Sequence, residues 1–112
     1  MKLSPHFTSD EFRCRHCGLM NATGDLVAHL ELLRAIIGRP IIIVSGTRCR
    51  THNTSVGGAL QSRHLFGEAV DIYRGVATLA QASAAGFTGV GLSGRWAVHL
   101  DVRPGRLVTW RY

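Results

Sequence analysis

"SRHLFGEAVDI", at residues 62–72, is the stretch of the sequence that decides the fold. It ends in an alternating run that puts Asp71 on one face and Val70 and Ile72 on the other, which is the pattern of a β-strand. His64 lies seven residues before Asp71, in the segment that leads into this strand. The stretch is therefore either an ordinary loop entering a strand or a pair of metal ligands that needs a third ligand elsewhere.

The elements around this strand indicate the fold class. Periodicity, capping residues and turn residues predict a capped turn at 4–12, helices at 23–37, 50–59 and 76–86, and further strands at 41–46, 88–92, 96–103 and 106–112. The strand at 41–46 carries the apolar run "IIIV", so we expect it to be buried. Strands interrupted by two long helices, with a closing meander, predict an α+β fold with a small, mainly antiparallel sheet flanked by helices. No repeat or linker interrupts the chain, which predicts one domain over residues 1–112.

The candidate third ligand is in "WAVHLDVR", at residues 96–103. Alternation along this strand predicts that Ala97, His99 and Asp101 share one face. The other face is apolar and predicted to point into the core; it comprises Val98, Leu100 and Val102. A histidine and a carboxylate would then lie side by side on a strand that can pair with the strand of Asp71.

His64, Asp71 and His99 together have the composition of a catalytic zinc site, which is two histidines and one carboxylate with an open fourth position. Zinc held in this way lowers the pKa of its water toward 7, so hydrolysis becomes accessible at neutral pH. Each residue also has an ordinary interpretation. His64 would be a loop residue, Asp71 a strand-edge charge, and His99 a half-buried histidine with a hydrogen-bond partner.

Composition limits the classes of partner. The 112 residues carry a formal net charge of +6, which serves solubility or an anionic partner such as nucleic acid, a membrane surface or a cell-wall polymer. The basic residues are scattered and form no run interleaved with aromatic residues, so we expect no nucleic-acid partner. The longest apolar run has four residues, so we expect no stable membrane insertion. The first residues show no secretory signal.

The three cysteines are Cys14, Cys17 and Cys49. The motif "CRHC" has zinc-finger spacing, but no second CxxC or HxxxH pair follows it. We therefore expect reduced structural thiols. The alternative is a small second metal site that also uses Cys49 and His16.

The motifs also occur together, in order. "SGTRCRTHN" at 45–53, "SRHLFGEAVDI" at 62–72 and "VHLDVR" at 98–103 resemble the successive motifs of the zinc D-Ala-D-Ala peptidases, whose fold is shared with the hedgehog signalling domain. The family pattern SxHxxGxAxD is met at its fixed positions, Ser62, His64, Gly67, Ala69 and Asp71. The element F…EF.C..CG, at 7–18, resembles that of short members, often phage lysins or cell-wall endopeptidases. The resemblance extends from about residue 7 to residue 110.

This resemblance implies specific roles. His64, Asp71 and His99 would bind one zinc ion per chain. Arg48 would hydrogen-bond the substrate carbonyl and stabilise the developing oxyanion. Ser62 would bind the carboxylate or backbone of the peptide. The implied reaction is hydrolysis of a peptide bond next to a D-amino acid in the stem peptides of peptidoglycan.

One departure from the family concerns the general base. Many relatives carry a Glu or Asp three residues before the last histidine, and here that position is Trp96. Asp101 is the nearest carboxylate on the face of His99, so we expect it to act as the base or to orient the water. A further alternative is that Asp101 accepts the second ring N–H of a ligand histidine and fixes its tautomer. Glu68, which lies between two candidate ligands, is the rival base.

The predicted function is therefore a zinc metallopeptidase of bacterial peptidoglycan, either a carboxypeptidase or an endopeptidase. The alternative is a catalytically inactive zinc-binding module that recognises cell wall or a protein partner, because the acid before His99 is missing. We expect a monomer that is made in the cytoplasm and acts on the cell wall after release, as a phage endolysin does, or as a virion component. The sequence leaves open which peptide bond is cut.

Overall fold

The computed structural model describes residues 1–58 and 62–112; residue 59, at the end of the predicted second helix, lies outside the described residues. The elements in chain order are β1 (Lys2–Ser4), β2 (Phe7–Thr8), a 3-10 helix (Ser9–Phe12), α1 (Gly24–Ile37), β3 (Ile43–Ser45), α2 (Arg50–Ser55), a 3-10 helix (Arg63–Phe66), β4 (Ala69–Ile72), α3 (Leu79–Ala84), β5 (Gly89–Ser93), β6 (Trp96–Asp101) and β7 (Val108–Arg111). Each predicted helix and strand is present, and the second and third helices are shorter than expected.

The main sheet has five strands in the order β3-β4-β6-β5-β7, and β1 pairs with β2 in a separate two-stranded sheet. All pairs in the main sheet are antiparallel except β5–β7, so the predicted α+β fold with a mainly antiparallel sheet is confirmed. The predicted closing meander is wrong, because β7 pairs in parallel with β5 rather than with β6. The connection after β6 is tied to the start of β5, since Thr88 hydrogen-bonds Arg103 O and Val108 N–H donates to Thr88 O.

One apolar core joins the sheet to α1 and α3. The side chain of Thr23 caps α1 by accepting the N–H of Leu26. Gly38 ends α1 in the left-handed conformation, with φ of 69°. Leu26, Leu30 and Leu33 of this helix are buried, at the spacing of one helical face.

Strand β3 is not buried on both faces as its apolar sequence predicted. It lies at the edge of the sheet and pairs only with β4. Ile41 and Ile43 belong to the core, whereas Ile42 and Val44 are 52% and 45% exposed. An edge strand that covers the core with one face alternates in burial even when its sequence is apolar throughout.

The predicted alternation of β6 is wrong at Ala97. The pairing of β5 with β6 shifts register, since Gly91 lies opposite His99 and Leu92 lies opposite Ala97. Val98 is therefore an extra residue, as in a β-bulge, and Ala97 joins the core that contains Leu100. His99 and Asp101 remain together on the other face.

No helix in residues 1–58 or 62–112 has both the length and the apolar character that a membrane span requires.

Candidate metal centre

Three side chains from separate elements converge at the end of the sheet. Asp71 on β4 lies directly opposite His99 on β6 in the strand pairing. His64 comes from the 3-10 helix Arg63–Phe66 that precedes β4. Asp71 Oδ1 lies 3.2 Å from His64 Nε2 and 3.1 Å from His99 Nδ1. The structure thus brings together the three residues that the sequence singled out as candidate ligands.

The short 3-10 helix holds His64 by local interactions. The Ser62 hydroxyl accepts the N–H of His64 at the start of this helix. Gly67 ends it with φ of 69°, and a Cβ there would overlap the carbonyl oxygen of Asn21. His64 is fully buried as a result.

The outer ring nitrogens of both histidines are occupied by acceptors. His64 Nδ1 lies 2.7 Å from Gly46 O, and His99 Nε2 lies 2.7 Å from Asp101 Oδ2. A carbonyl or carboxylate oxygen only accepts, so these two nitrogens carry the ring protons. In the neutral rings, His64 Nε2 and His99 Nδ1 then direct lone pairs toward Asp71.

With both rings neutral and protonated on their outer nitrogens, three acceptor atoms face one another, which is a site for a cation. Zinc–nitrogen and zinc–oxygen bonds give a tetrahedral edge of about 3.3 Å, close to the separations found here. Burial of Asp71 would raise its pKa, but hydrogen bonds and charge from His64 and His99 hold that pKa well below its usual range. Burial would likewise lower the pKa of His99, yet Asp101 and Asp71 raise it. A proton on the rings thus competes for the space that a metal would occupy.

The second oxygen of Asp71 is bound by two donors. Asp71 Oδ2 accepts from Arg48 Nη2 at 2.8 Å and from the Tyr112 hydroxyl at 2.9 Å. Arg48 is buried, and its Nε has no hydrogen-bond partner among the described residues. Burial and the charge of Asp71 raise the pKa of Tyr112 to about 12, so its hydroxyl remains a donor at neutral pH. A fixed cation and a neutral hydroxyl therefore lie beside the candidate metal ligands.

Asp101 lies on the opposite side of the His99 ring from Asp71. It is completely buried, and Arg103 donates to both of its oxygens, at 2.8 and 2.7 Å. Burial would raise the pKa of Asp101, but Arg103 and His99 hold it well below its usual range. Strand β5 makes room for this carboxylate with Gly89, where a Cβ would overlap the Asp101 side chain. These contacts favour the tautomer-fixing role of Asp101 over that of a base.

A family model described as Peptidase M15 matches residues 5–101. The chain belongs to the peptidase M15 family. A zinc D-Ala-D-Ala carboxypeptidase from Streptomyces albus G is 41% identical over an alignment of 58 residues, and the match covers 48% of this chain. The match spans only 23% of that relative's length. The resemblance to the D-Ala-D-Ala peptidases is thus confirmed at the level of the family.

The other residues predicted for this M15 peptidase have different settings. Ser62 is half-buried at the start of the helix that carries His64. Glu68 pairs with Arg63 at 3.2 Å, and no contact described for its side chain joins it to the candidate ligands. Trp96, at the position of the missing acid, starts β6.

Two aromatic residues of the M15 site were missed by the sequence analysis. The rings of Trp110 and Tyr112 lie 5.1 and 5.0 Å from the ring of His99, measured between centroids. Both rings reach the site because β7 pairs in parallel with β5, which brings the last residues of the chain close to His99. Gly91 of β5 leaves space for them, since a Cβ there would lie 2.8 Å from the Tyr112 ring. The glycines of "TGVGL" were the one sequence signal, because glycine within a strand marks a close approach.

Proposed function

We propose that this M15 peptidase is a zinc enzyme that hydrolyses peptide bonds next to D-amino acids in peptidoglycan stem peptides. The observation that carries this proposal is the convergence of His64 Nε2, His99 Nδ1 and Asp71 Oδ1, which are three possible metal-ligand atoms within 4.8 Å of one another. The name of the Streptomyces albus G relative supports both the metal and the substrate class. Zinc in such a site lowers the pKa of water and polarises a carbonyl.

The surrounding residues support the reaction in different ways. Asp101 and the carbonyl of Gly46 fix the ring protons of the two histidines on their outer nitrogens. Arg48 and Tyr112, which donate to Asp71 Oδ2, also lie where donors could stabilise negative charge on the carbonyl oxygen of the substrate. Tyr112 has one hydroxyl hydrogen, so it would turn from Asp71 to the substrate for this role. The Ser62 hydroxyl accepts the N–H of His64, so its own hydrogen is available to bind the carboxylate or backbone of the peptide.

A catalytically inactive zinc-binding module is the second candidate, and one observation favours it. Both oxygens of Asp101 are engaged by His99 and Arg103, and Glu68 is paired with Arg63. Apart from Asp71, the other acidic residues form helix-cap hydrogen bonds or surface ion pairs in other parts of the described chain. No second carboxylate therefore stands ready beside the ligands within residues 1–58 and 62–112 to accept a proton from water.

Digestion of purified peptidoglycan separates the two candidates. The zinc-loaded protein should release fragments with new stem-peptide termini, identified by mass spectrometry, and the same preparation stripped of zinc should release none. His99→Ala, which lacks one of the three candidate metal ligands, serves as the matched control. Stoichiometric zinc binding without any new terminus would contradict the enzyme and support the binding module.

We also propose that the protein is a monomer and that it acts on the bacterial wall after release from a cell or from a virion. The same type of digestion tests its action on the wall. Intact walls from several bacterial classes should serve as substrate, and the new termini should show which bond is cut. Light scattering of the active fraction should give the mass of one chain.

A further inference from the structure

The three cysteine side chains meet at a second place, outside the candidate metal centre. The sulfur atoms of Cys14, Cys17 and Cys49 lie within 4.8 Å of one another. Cys14 and Cys17 share a tight turn in which Gly18 N–H donates to Cys14 O at 2.9 Å, and Gly18 has φ of 78°. No disulfide joins the three cysteines, all of which are among the described residues.

Backbone donors surround the buried sulfur of this group. The N–H groups of His16 and Cys49 each lie 3.4 Å from Cys14 Sγ. Such donors stabilise a thiolate, and the thiolate is the form of cysteine that binds a metal.

A fourth possible ligand atom lies beside one of the three sulfur atoms. His16 Nδ1 is 3.4 Å from Cys49 Sγ. Zinc–sulfur bonds of 2.3 Å give a tetrahedral edge of about 3.8 Å, with a slightly shorter edge where nitrogen replaces sulfur. We propose that Cys14, Cys17, Cys49 and His16 bind a second zinc ion in a closed, four-coordinate structural site.

The chemistry of the donors favours zinc. Three thiolates and one imidazole form a Cys₃His set, which is typical of structural zinc sites and unlike the oxygen-rich sites of magnesium or calcium. In this second site the three cysteines would be zinc ligands and not the reduced structural thiols expected from the sequence. The expected zinc content would rise from one to two ions per chain.

The position of the cluster gives this zinc a role. Cys49 follows Arg48, which binds Asp71, and the nearby Gly46 carbonyl accepts from His64. Hydrogen bonds already join this segment to the cysteine turn and its neighbours, since Thr47 N–H donates to Phe12 O at 2.8 Å and Arg15 Nη2 donates to Val44 O at 3.1 Å. The ion would therefore fasten the 14–17 turn to the segment that supports the candidate metal centre.

Metal analysis of three proteins tests the proposal. The reduced wild type, purified with zinc in excess and then desalted, should contain about two zinc ions per chain. A Cys17→Ser/Cys49→Ser variant and a His64→Ala/His99→Ala variant should each contain one. Cobalt(II) should give a thiolate-to-cobalt charge-transfer band in the wild type and the histidine variant, and none in the cysteine variant. Because the band survives loss of the histidine ligands, its outcome is independent of the proposed function.

Three results would overturn the second site. These are a single zinc in the wild type that the cysteine substitutions leave unchanged, a folded wild type without the thiolate band, or an intact mass two hydrogens lower, which indicates a disulfide. Circular dichroism identifies variants that fail to fold, and Cys17→Ser alone is the safer substitution because Cys17 is exposed. His16→Ala should keep the thiolate band and weaken cobalt binding; unchanged binding would exclude the histidine as a ligand.

Discussion

The two clusters differ in what holds their ligands in place. His64, Asp71 and His99 are supported by strand pairing and by hydrogen bonds to every outer nitrogen, and both histidines are almost completely buried. The cysteine cluster lies in turns and contains the exposed Cys17. A mixed nitrogen and oxygen set of three leaves one position for substrate, whereas a set with three sulfurs closes around its ion. Ligands that the sheet holds in place are suited to catalysis. A site assembled from turns is suited to cross-linking two segments of the chain.

The largest expected effect is the loss of hydrolysis in His99→Ala. Removing this ligand should abolish release of stem-peptide fragments and lower the zinc content by one, because two ligands do not hold zinc in an open site. Mass spectrometry of digests and elemental analysis measure both quantities. The cysteine cluster should keep its metal, and loss of both ions together would break the comparison.

Tyr112→Phe should reduce kcat about 100-fold, as expected when one donor to a developing oxyanion is removed. Zinc should stay bound at both clusters, because the hydroxyl donates to Asp71 and does not itself coordinate. Steady-state kinetics on a purified stem peptide check this, with Tyr73→Phe as the matched control on an exposed tyrosine. An unchanged kcat would assign Tyr112 to packing alone.

Asp101→Asn should weaken zinc binding at the sheet cluster about 10- to 100-fold, since the carboxylate fixes the ring proton of His99. Added zinc should then restore part of the rate, and competition with a chelator should measure the affinity. Glu68→Gln is the comparison variant and should retain both zinc and rate. A dead Asp101→Asn enzyme with normal zinc affinity would instead identify Asp101 as the base, and a dead Glu68→Gln enzyme would identify Glu68.

The smallest expected effect concerns the turnover of Cys17→Ser. The sheet cluster has its own ligands and strand pairing, so kcat at 25 °C should fall no more than about threefold, which is about 0.7 kcal/mol in activation free energy. The backbone bond between Thr47 and Phe12 remains to hold the shared segment. Thermal inactivation should occur at a lower temperature than in the wild type, because the cross-link is lost. A collapse of kcat at 25 °C would show that the cysteine cluster takes part in the chemistry.

Local pattern was enough to predict much of the fold and to select the candidate ligands. Alternation around Asp71 and His99 placed them on strands, and the order of the motifs selected His64. The sequence pattern could not predict contacts that depend on pairing with a strand distant in the sequence. The partner of β7, and with it Tyr112, follows from a pairing in space that no window of sequence contains.

The same limit explains the remaining errors. Alternation assumes a regular ladder, so the extra residue at Val98 put Ala97 on the wrong face. A shared strand face showed that Asp101 lies near His99, but could not show which ring nitrogen it contacts. Cys49 is far from Cys14 and Cys17 in sequence, and the close approach of Gly46 to Phe12, where a Cβ would lie 2.8 Å from the Phe12 backbone, helps to bring them together in space.

Strand β7 gives the molecule a kinetic property that its metal ligands do not share. It is a four-residue edge strand, and most of its side chains are exposed. Edge elements with few buried contacts open locally at a free energy below that of global unfolding. Opening β7 withdraws Tyr112 while β4 and β6 keep their pairing and their metal ligands. Warming should therefore produce a population that retains its metal but has a slowed reaction, and hydrogen exchange at Val108–Arg111 should report its size.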